Sequence, residues 1–128
     1  MSQEIPASEQ RTTPTRVYVA GPYSGTDIIT CLKNIGKGEE MGAYLFALGY
    51  APFVPFHDKD FVLRRPDDEF DVEEFYAYSL AWLEVSDCML VLPGYESSRG
   101  TLKEIEFAKE RGIPVYYDIN EFLRRVSP

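Results

Sequence analysis

Four short apolar runs rich in β-forming residues alternate along the chain with segments in which apolar residues recur at helical spacing. The runs predict strands at Arg16–Ala20, Tyr50–Pro55, Cys88–Leu92 and Ile113–Tyr117. The other segments predict helices at Asp27–Leu48, Asp71–Ser86, Ser98–Gly112 and Ile119–Val126. Strands that alternate with helices usually pair in parallel and are covered by those helices. The sequence therefore predicts an α/β fold built on a parallel sheet.

The size and composition of the chain favour one intracellular domain. Its 128 residues fit a single core. The two cysteines, Cys31 and Cys88, lack metal-binding spacing, which favours a reduced, cytoplasmic setting. No apolar run approaches the roughly 20 residues that span a bilayer. Residues 1–15 are polar, contain two prolines and show no signal-peptide pattern, so we expect a disordered leader before a domain at 16–128.

The charge of the chain excludes one class of partner. Its formal net charge is -8, whereas binding to duplex nucleic acid through phosphates needs clustered Lys and Arg. A small anionic ligand stays compatible with this charge, because a few local donors can hold one phosphate. No metal or other cofactor is predicted.

Glu104 occupies an unusual position in the third predicted helix. At 100° per residue, the apolar arc of that helix comprises Thr101, Leu102, Ile105, Phe107 and Ala108. Glu104 falls near the middle of this arc, while Lys103, Glu106 and Glu110 lie opposite. A carboxylate that faces a core needs a partner. It is therefore either a satisfied structural group or a reactive one.

Polar loops follow the first and third predicted strands. Gly21–Thr26 combines two glycines with hydroxyl groups, and Ser97–Gly100 combines two serines, Arg99 and the start of a helix. Such a helix start can bind an anion. Simpler roles are also open: most loops like the first merely connect two elements, and the second is equally compatible with a helix N-cap at Ser98 and a solvated Arg99.

Other polar residues have simpler interpretations. Ser79 lies at the centre of the apolar arc of the second predicted helix, where a serine usually bonds to the preceding turn. The other members of that arc are Val72, Phe75, Tyr76, Leu80, Trp82 and Leu83. His57 lies in the long charged segment 56–70, which has the length of a lid, and a single histidine does not make a metal site. Asp87 is expected to stabilise the start of the third strand.

The ordered set of these motifs resembles the nucleoside 2-deoxyribosyltransferase-like family, which includes nucleoside 5'-monophosphate N-glycosidases. The residues that carry the resemblance are Val17–Ser24, Gly49–Pro55, Ser86–Cys88, Leu92–Gly100, Glu104, Ala108, Gly112 and Pro114. The match spans Arg16 to Tyr117, and its specificity lies in the order of the motifs, since no single one is diagnostic. The resemblance implies a single Rossmann-like (flavodoxin-like) domain with helices on both faces of the sheet.

The resemblance also implies roles for individual residues. It makes Glu104 the nucleophile and Tyr18 the residue that orients it by a hydrogen bond. It makes Ser98 the residue at the 5' end of the sugar, where nucleoside-specific members tend to carry an Asp. A serine does not repel a phosphate, so a 5'-phosphorylated substrate is expected. The other proposed substrate contacts are Gly21, Tyr23, Ser24, Ser79, Arg99 and Gly100. By their location alone, Tyr23, Phe53 or Phe56 are candidates to sandwich the base, and core packing is the simpler role for the two phenylalanines.

Ser79 departs from the family pattern, because the family commonly has there an Asp that protonates the leaving base. A serine hydroxyl is not a comparable acid. Either another group donates the proton, with Asp58, Asp60, Asp71 and Glu74 as candidates, or the leaving base needs little help, or the activity is weak.

The expected function is cleavage of the N-glycosidic bond of a nucleoside or deoxynucleoside 5'-monophosphate through a covalent glycosyl-Glu104 intermediate that water resolves. The alternatives are a 2-deoxyribosyltransferase that exchanges bases, a non-catalytic nucleotide-binding module and a flavodoxin-like partner protein. The expected partner is a small nucleotide, and the resemblance implies a homo-oligomer, a dimer or larger.

Overall fold

The computed structural model describes residues 12–58, 61, 64 and 72–128, and within them it contains the predicted alternation of strands and helices. In chain order the elements are β1 (Arg16–Ala20), α1 (Ile28–Ala47), β2 (Ala51–Phe53), a 3-10 turn (Pro55–Asp58), α2 (Val72–Glu84), β3 (Cys88–Val91), a second 3-10 turn (Tyr95–Ser97), α3 (Arg99–Glu110), β4 (Val115–Tyr116) and α4 (Ile119–Arg125).

The four strands form one parallel sheet in the order β2-β1-β3-β4. Tyr18 in β1 is in register with Phe53 of β2 on one side and with Met89 of β3 on the other. The chain moves outward from β1 in one direction to reach β2 and in the opposite direction to reach β3. The carboxyl ends of β1 and β3 therefore meet where the winding reverses, which is the place where such sheets bind ligands.

Successive side chains of each strand point to opposite faces of the sheet, so the strands contribute to two separate hydrophobic cores. Val17, Val19, Cys88 and Leu90 pack with residues of α1 and α4. Tyr18, Ala20, Met89 and Val91 pack with Leu83 of α2 and with Ile105 and Ala108 of α3. The predicted α/β class, with helices on both faces of a parallel sheet, is confirmed.

Helix α1 begins and packs as its sequence requires. Asp27 is its N-cap and accepts the Thr30 N–H at 2.7 Å, a bond that lowers the pKa of the Asp27 carboxyl. A Cβ on Gly38 would lie 2.5 Å from the Phe56 ring, so this glycine allows close packing. The segment packed there follows β2.

The apolar arcs deduced from helical spacing are wrong at two positions. Leu102 in α3 is 45% exposed and Trp82 in α2 is 47% exposed. Spacing gives the direction of the apolar side but not its width, and here the sheet covers only part of each arc. The buried members of α3 are Thr101, Ile105 and Ala108.

The two ends of the domain are tied together. Thr15 is buried, its carbonyl accepts the Ala51 N–H at 2.8 Å and its hydroxyl donates to the Ser127 carbonyl at 2.8 Å. Thr15 thus belongs to the folded part rather than to a leader, whereas residues 1–11 lie outside the described part. Asp87 accepts the Arg16 N–H at 2.7 Å and so stabilises the start of β3, as predicted.

Candidate functional site

The centre of the candidate site is a hydrogen bond between β1 and α3. Tyr18 has no exposed surface and donates its hydroxyl hydrogen to Oε2 of Glu104. Glu104 is half-buried and lies on the side of α3 that faces the sheet. The hydrogen bond implied by the family resemblance is therefore present, and it stabilises negative charge on the carboxylate.

Ser98 is the N-cap of α3, as its position in the sequence predicted. Its Oγ accepts the backbone N–H of Thr101 at 3.3 Å. The Thr101 Oγ1 lies 2.9 Å from the Ser98 Oγ and 2.9 Å from the carbonyl oxygen of Gly21, the residue that follows β1. The first turn of α3 is thus joined to the end of β1.

Thr101 makes a polar contact that no sequence motif indicated. Helical spacing placed it correctly on the buried side of α3, and it is 1% exposed. Spacing does not show which carbonyl a buried hydroxyl meets, because that carbonyl belongs to another element. The only available signal was that a buried hydroxyl needs a partner.

The loop after β1 is held on two sides. A Cβ on Gly21 would lie 2.9 Å from the Cβ of Leu92, so a glycine here allows the loop to approach the end of β3 closely. From α1, the side-chain amide of Asn34 donates to the carbonyls of Tyr23 and Ser24 at 3.4 and 3.3 Å. Asn34 therefore fixes the path of the residues that the sequence assigned to substrate binding, although no motif pointed to it.

Two cations flank the start of α3. Arg99 is exposed at its first position, and the Lys103 ammonium lies 4.6 Å from the ring centre of Tyr76 in α2. A Cβ on Gly100 would lie 3.3 Å from the same ring, so α2 packs directly on this turn. Positive side chains beside the first N–H groups of a helix favour an anionic ligand.

Not every candidate residue joins this arrangement. Ser79 is buried in α2, 8% exposed, and lies outside the hydrogen-bonded chain of Gly21, Thr101 and Ser98. Glu74 is exposed on the same helix. The side chains of His57, Asp58, Asp60 and Asp71, and most of the segment 56–70 expected to be a lid, lie outside the described part of the structure.

Several aromatic residues near the site pack on one another. Phe53 stacks on Tyr18, with ring centres 5.7 Å apart, and on Trp82, with ring centres 5.4 Å apart. Phe56 is 4% exposed and meets the edge of Tyr23. Phe53 and Phe56 thus serve packing, whereas Trp82, which the sequence assigned to an apolar arc, continues the stack to the surface.

A cleft of about 420 Å³ lies on the opposite face of the sheet. The described residues that line it are Pro22, Asn34, Lys37, Glu40, Met41, Tyr44, Leu92 and Pro93. They belong to α1 and to the loops after β1 and β3, and Glu104 is not among them. This cleft and the Tyr18–Glu104 pair are therefore different places in the fold.

The described residues contain neither a candidate metal-binding cluster nor a helix suited to span a membrane. Within 12–58 and 72–128, no group of three or more His, Cys, Asp and Glu residues is placed to hold a metal ion. The helices of the same residues include none that combines the length and apolar character needed to cross a membrane.

The fold and this arrangement are those of a small doubly wound α/β domain with polar groups where its winding reverses. The chain belongs to the family DUF7768, described as a domain of unknown function, whose model matches residues 15–118. No curated protein matches it.

One solved structure with a similar fold is a 2-deoxyribosyltransferase from the psychrotolerant bacterium Bacillus psychrosaccharolyticus. It is 22% identical, with a TM-score of 0.54, and the alignment covers 79% of this chain and 69% of that chain. This similarity is consistent with the Rossmann-like fold and supports a distant structural relationship.

Proposed function

We propose that the protein hydrolyses the N-glycosidic bond of a nucleoside or deoxynucleoside 5'-monophosphate through a covalent intermediate on Glu104. The observation that carries this proposal is the hydrogen bond from buried Tyr18 to Glu104. A half-buried carboxylate held in one orientation suits a nucleophile. The distant relationship to a 2-deoxyribosyltransferase supports the same class of bond.

In the proposed reaction, Tyr18 holds Oε2 while Oε1 of Glu104 attacks the anomeric carbon. The bond from that carbon to the base nitrogen breaks through an oxocarbenium-like transition state, and its electron pair leaves with the base. A glycosyl ester of Glu104 results. Water then attacks the same carbon from the opposite side, regenerates the carboxylate and loses one proton, so that the anomeric configuration is retained.

The start of α3 would hold the 5'-phosphate. Arg99 supplies positive charge, the first N–H groups of the helix supply donors, and Ser24 lies exposed in the facing loop. Ser98 carries no charge, so it does not repel a dianion as an Asp would. Binding this remote group would position the anomeric carbon near Glu104.

The leaving base would need a proton from a group other than Ser79. A serine hydroxyl is too weak an acid to supply it. The candidates are Glu74, which is exposed on α2, and Asp58, Asp60 and Asp71.

Replacing Glu104 by Gln tests the mechanism, because Gln retains the size of the side chain but is a poor nucleophile. Base release from a panel of 5'-monophosphates should fall by at least about a thousandfold, as expected when a residue that bonds to the substrate is lost. The matched control is Glu106→Gln, since Glu106 is exposed on the same helix. Full activity of Glu104→Gln, with the fold retained by circular dichroism, would remove this mechanism.

Ser98→Asp tests the phosphate assignment without removing the helix cap, because Asp is also a good N-cap. The added charge should lower kcat/KM for a monophosphate roughly ten- to a hundredfold and favour the nucleoside. Ser98→Asn keeps a neutral cap of the same shape and separates charge from size. An unchanged preference in Ser98→Asp contradicts a phosphate at this position.

Base exchange is the second candidate function, favoured by the fold of the 2-deoxyribosyltransferase. The first step is the same, but a free base rather than water resolves the intermediate. A labelled second base should then appear in new nucleoside or nucleotide. Labelled product identifies a transferase, and free sugar phosphate identifies a hydrolase.

A third candidate is a protein that binds nucleotides without cleaving them. It is suggested by Ser79, because a serine cannot protonate the leaving base as the Asp common in the family would. Calorimetric binding of a monophosphate without base release over hours would favour a binding module.

We further propose a cytoplasmic homo-oligomer in which a neighbouring subunit helps to close each site. Light scattering during size-exclusion chromatography measures the oligomeric state, and a monomer throughout the micromolar range contradicts it.

A further inference from the structure

Gly21, Thr101 and Ser98 form a chain of hydrogen bonds, and counting donors and acceptors places the hydroxyl hydrogens of Thr101 and Ser98 within it. A carbonyl oxygen only accepts, so the Gly21 oxygen, 2.9 Å from the Thr101 Oγ1, takes the single hydroxyl hydrogen of Thr101. Thr101 is then left with lone pairs alone. The Ser98 Oγ, 2.9 Å away, therefore donates its own hydrogen to Thr101.

The remaining bonding capacity of Ser98 is small. One lone pair of its Oγ accepts the Thr101 N–H at 3.3 Å, which leaves one lone pair and no hydrogen for a ligand. Thr101 is 1% exposed and Gly21 is buried, so bulk water competes little for the Thr101–Gly21 bond. Ser98 thus presents an acceptor to whatever binds outside the cap.

We infer that Thr101 is a positioning residue that sets the hydrogen-bonding polarity of Ser98 and so helps to determine specificity at the 5' end of the substrate. This inference rests on the proposed function. With its proton held inward, Ser98 accepts from a sugar hydroxyl but donates nothing to a phosphate dianion, whose oxygens only accept. The phosphate is then held by Arg99 and by backbone N–H groups, and Ser98 supplies space without charge.

The same residue couples the two sides of the site. Through Gly21, Thr101 fixes the start of the loop that carries Tyr23 and Ser24, and through Ser98 it fixes the cap of α3. Losing its hydroxyl should therefore change selectivity between ligands rather than the reacting groups themselves.

The first experiment uses the unliganded wild-type protein. A hydroxyl hydrogen held between two protein oxygens exchanges slowly with water and becomes visible by NMR. We expect such a signal for Ser98, close to the Thr101 methyl group, and its loss in Thr101→Val. A Ser98 proton that exchanges as fast as that of exposed Ser24 overturns the inference, whatever the enzyme does.

The second experiment compares the affinities for a nucleoside and for its 5'-monophosphate by calorimetry on the Glu104→Gln chain. Thr101→Val frees the Ser98 hydrogen to reach the phosphate. The ratio of monophosphate affinity to nucleoside affinity should rise about tenfold for one gained charge-assisted hydrogen bond. Thr101→Ser restores the hydroxyl and should restore the wild-type ratio.

A double-mutant cycle assigns the effect to Ser98. In a Ser98→Ala background, Thr101→Val should leave the ratio unchanged, because the freed hydrogen no longer exists. A ratio unaffected by Thr101→Val alone, or a change that persists without Ser98, overturns the inference. If Thr101→Val does not fold, the wild-type NMR experiment decides alone.

The two experiments separate this inference from the proposed function. If neither ligand binds while the Ser98 proton is protected, the proposed function fails and the specificity role fails with it. If base release is intact while the Ser98 proton exchanges freely, only the role of Thr101 fails.

Discussion

Tyr18 is completely buried, so its hydroxyl needs a partner inside the protein, and Glu104 provides one. The contact holds one oxygen of the carboxylate in place. Because the β1 backbone is fixed by pairing with both neighbouring strands, this phenol can move little. The orientation of Glu104 is therefore a property of the sheet as much as of α3.

Tyr18→Phe removes the hydroxyl and keeps the ring that packs against Phe53. We expect kcat to fall about ten- to a hundredfold, since a hydrogen bond to a charged group contributes about 1.5–3 kcal/mol. KM should change less, because the phenol does not contact the phosphate in the proposed complex. Initial rates of base release and thermal unfolding measure the two effects, and an unchanged kcat with a lowered Tm would make the contact purely structural.

At this scale the sequence revealed residues whose type is unusual for their position. A carboxylate in an apolar arc identified Glu104, and a serine before a helix identified the cap at Ser98. Thr101 and Asn34 were not identifiable, because each acts through a backbone carbonyl of a distant segment. Which carbonyl lies within reach depends on the packing of whole elements, and a single sequence does not encode that locally.

Helix α1 offers a matched pair of glycines at the scale of one element. Around Gly36 no atom lies within 4 Å of the position that a Cβ would take, whereas a Cβ on Gly38 would lie 2.5 Å from the buried Phe56 ring. Both positions are interior to the helix, so the intrinsic gain from Ala is the same. The difference between the two substitutions therefore measures packing alone.

We expect Gly36→Ala to raise the free energy of unfolding by up to about 1 kcal/mol, from helix propensity. Gly38→Ala should lower it by about 1–3 kcal/mol, because the added methyl group displaces the Phe56 ring. Urea unfolding followed by circular dichroism gives both values. Equal effects of the two substitutions would show that Phe56 does not pack on α1 in solution.

Elements were easier to predict than their faces. β1 begins and ends where the sequence placed it, while β2 and β4 are shorter than their apolar runs. An apolar run marks what is buried, but a strand ends where its neighbour stops pairing. For the same reason the exposed Leu102 and Trp82 contradict the arcs, since burial depends on how far the covering elements extend.

The sheet divides the whole molecule into two cores with different tasks. The candidate site lies on the side of α2 and α3, whereas α1, α4 and the ends of the domain pack on the other side. Stability and activity should therefore be separable by substitutions in the core on the α1 and α4 side that leave Asn34 in place, since Asn34 holds the loop after β1.

Tyr50 tests this separation, because it is buried in the core on the α1 and α4 side and donates its hydroxyl to the Val126 carbonyl. Tyr50→Phe should lower the free energy of unfolding near pH 8 by about 1 kcal/mol, for one lost hydrogen bond. Base release measured well below the Tm should be unchanged. A loss of activity in the folded variant would mean that the sheet does not insulate the site.

The same substitution predicts a pH dependence. Burial, and to a smaller degree the charge of Cys88, raises the pKa of Tyr50 above its ordinary value of 10.0. The stabilisation from this raised pKa is fully present below pH 10 and is lost as the pH rises through the folded-state pKa, because the unfolded chain releases its proton first. The stability advantage of wild type over Tyr50→Phe should therefore shrink above pH 10. Urea unfolding of both proteins between pH 8 and 11 measures that advantage. The other tyrosines titrate in both proteins, so their effect cancels in the comparison. A difference that stays constant with pH would show that Tyr50 is not buried as a neutral phenol.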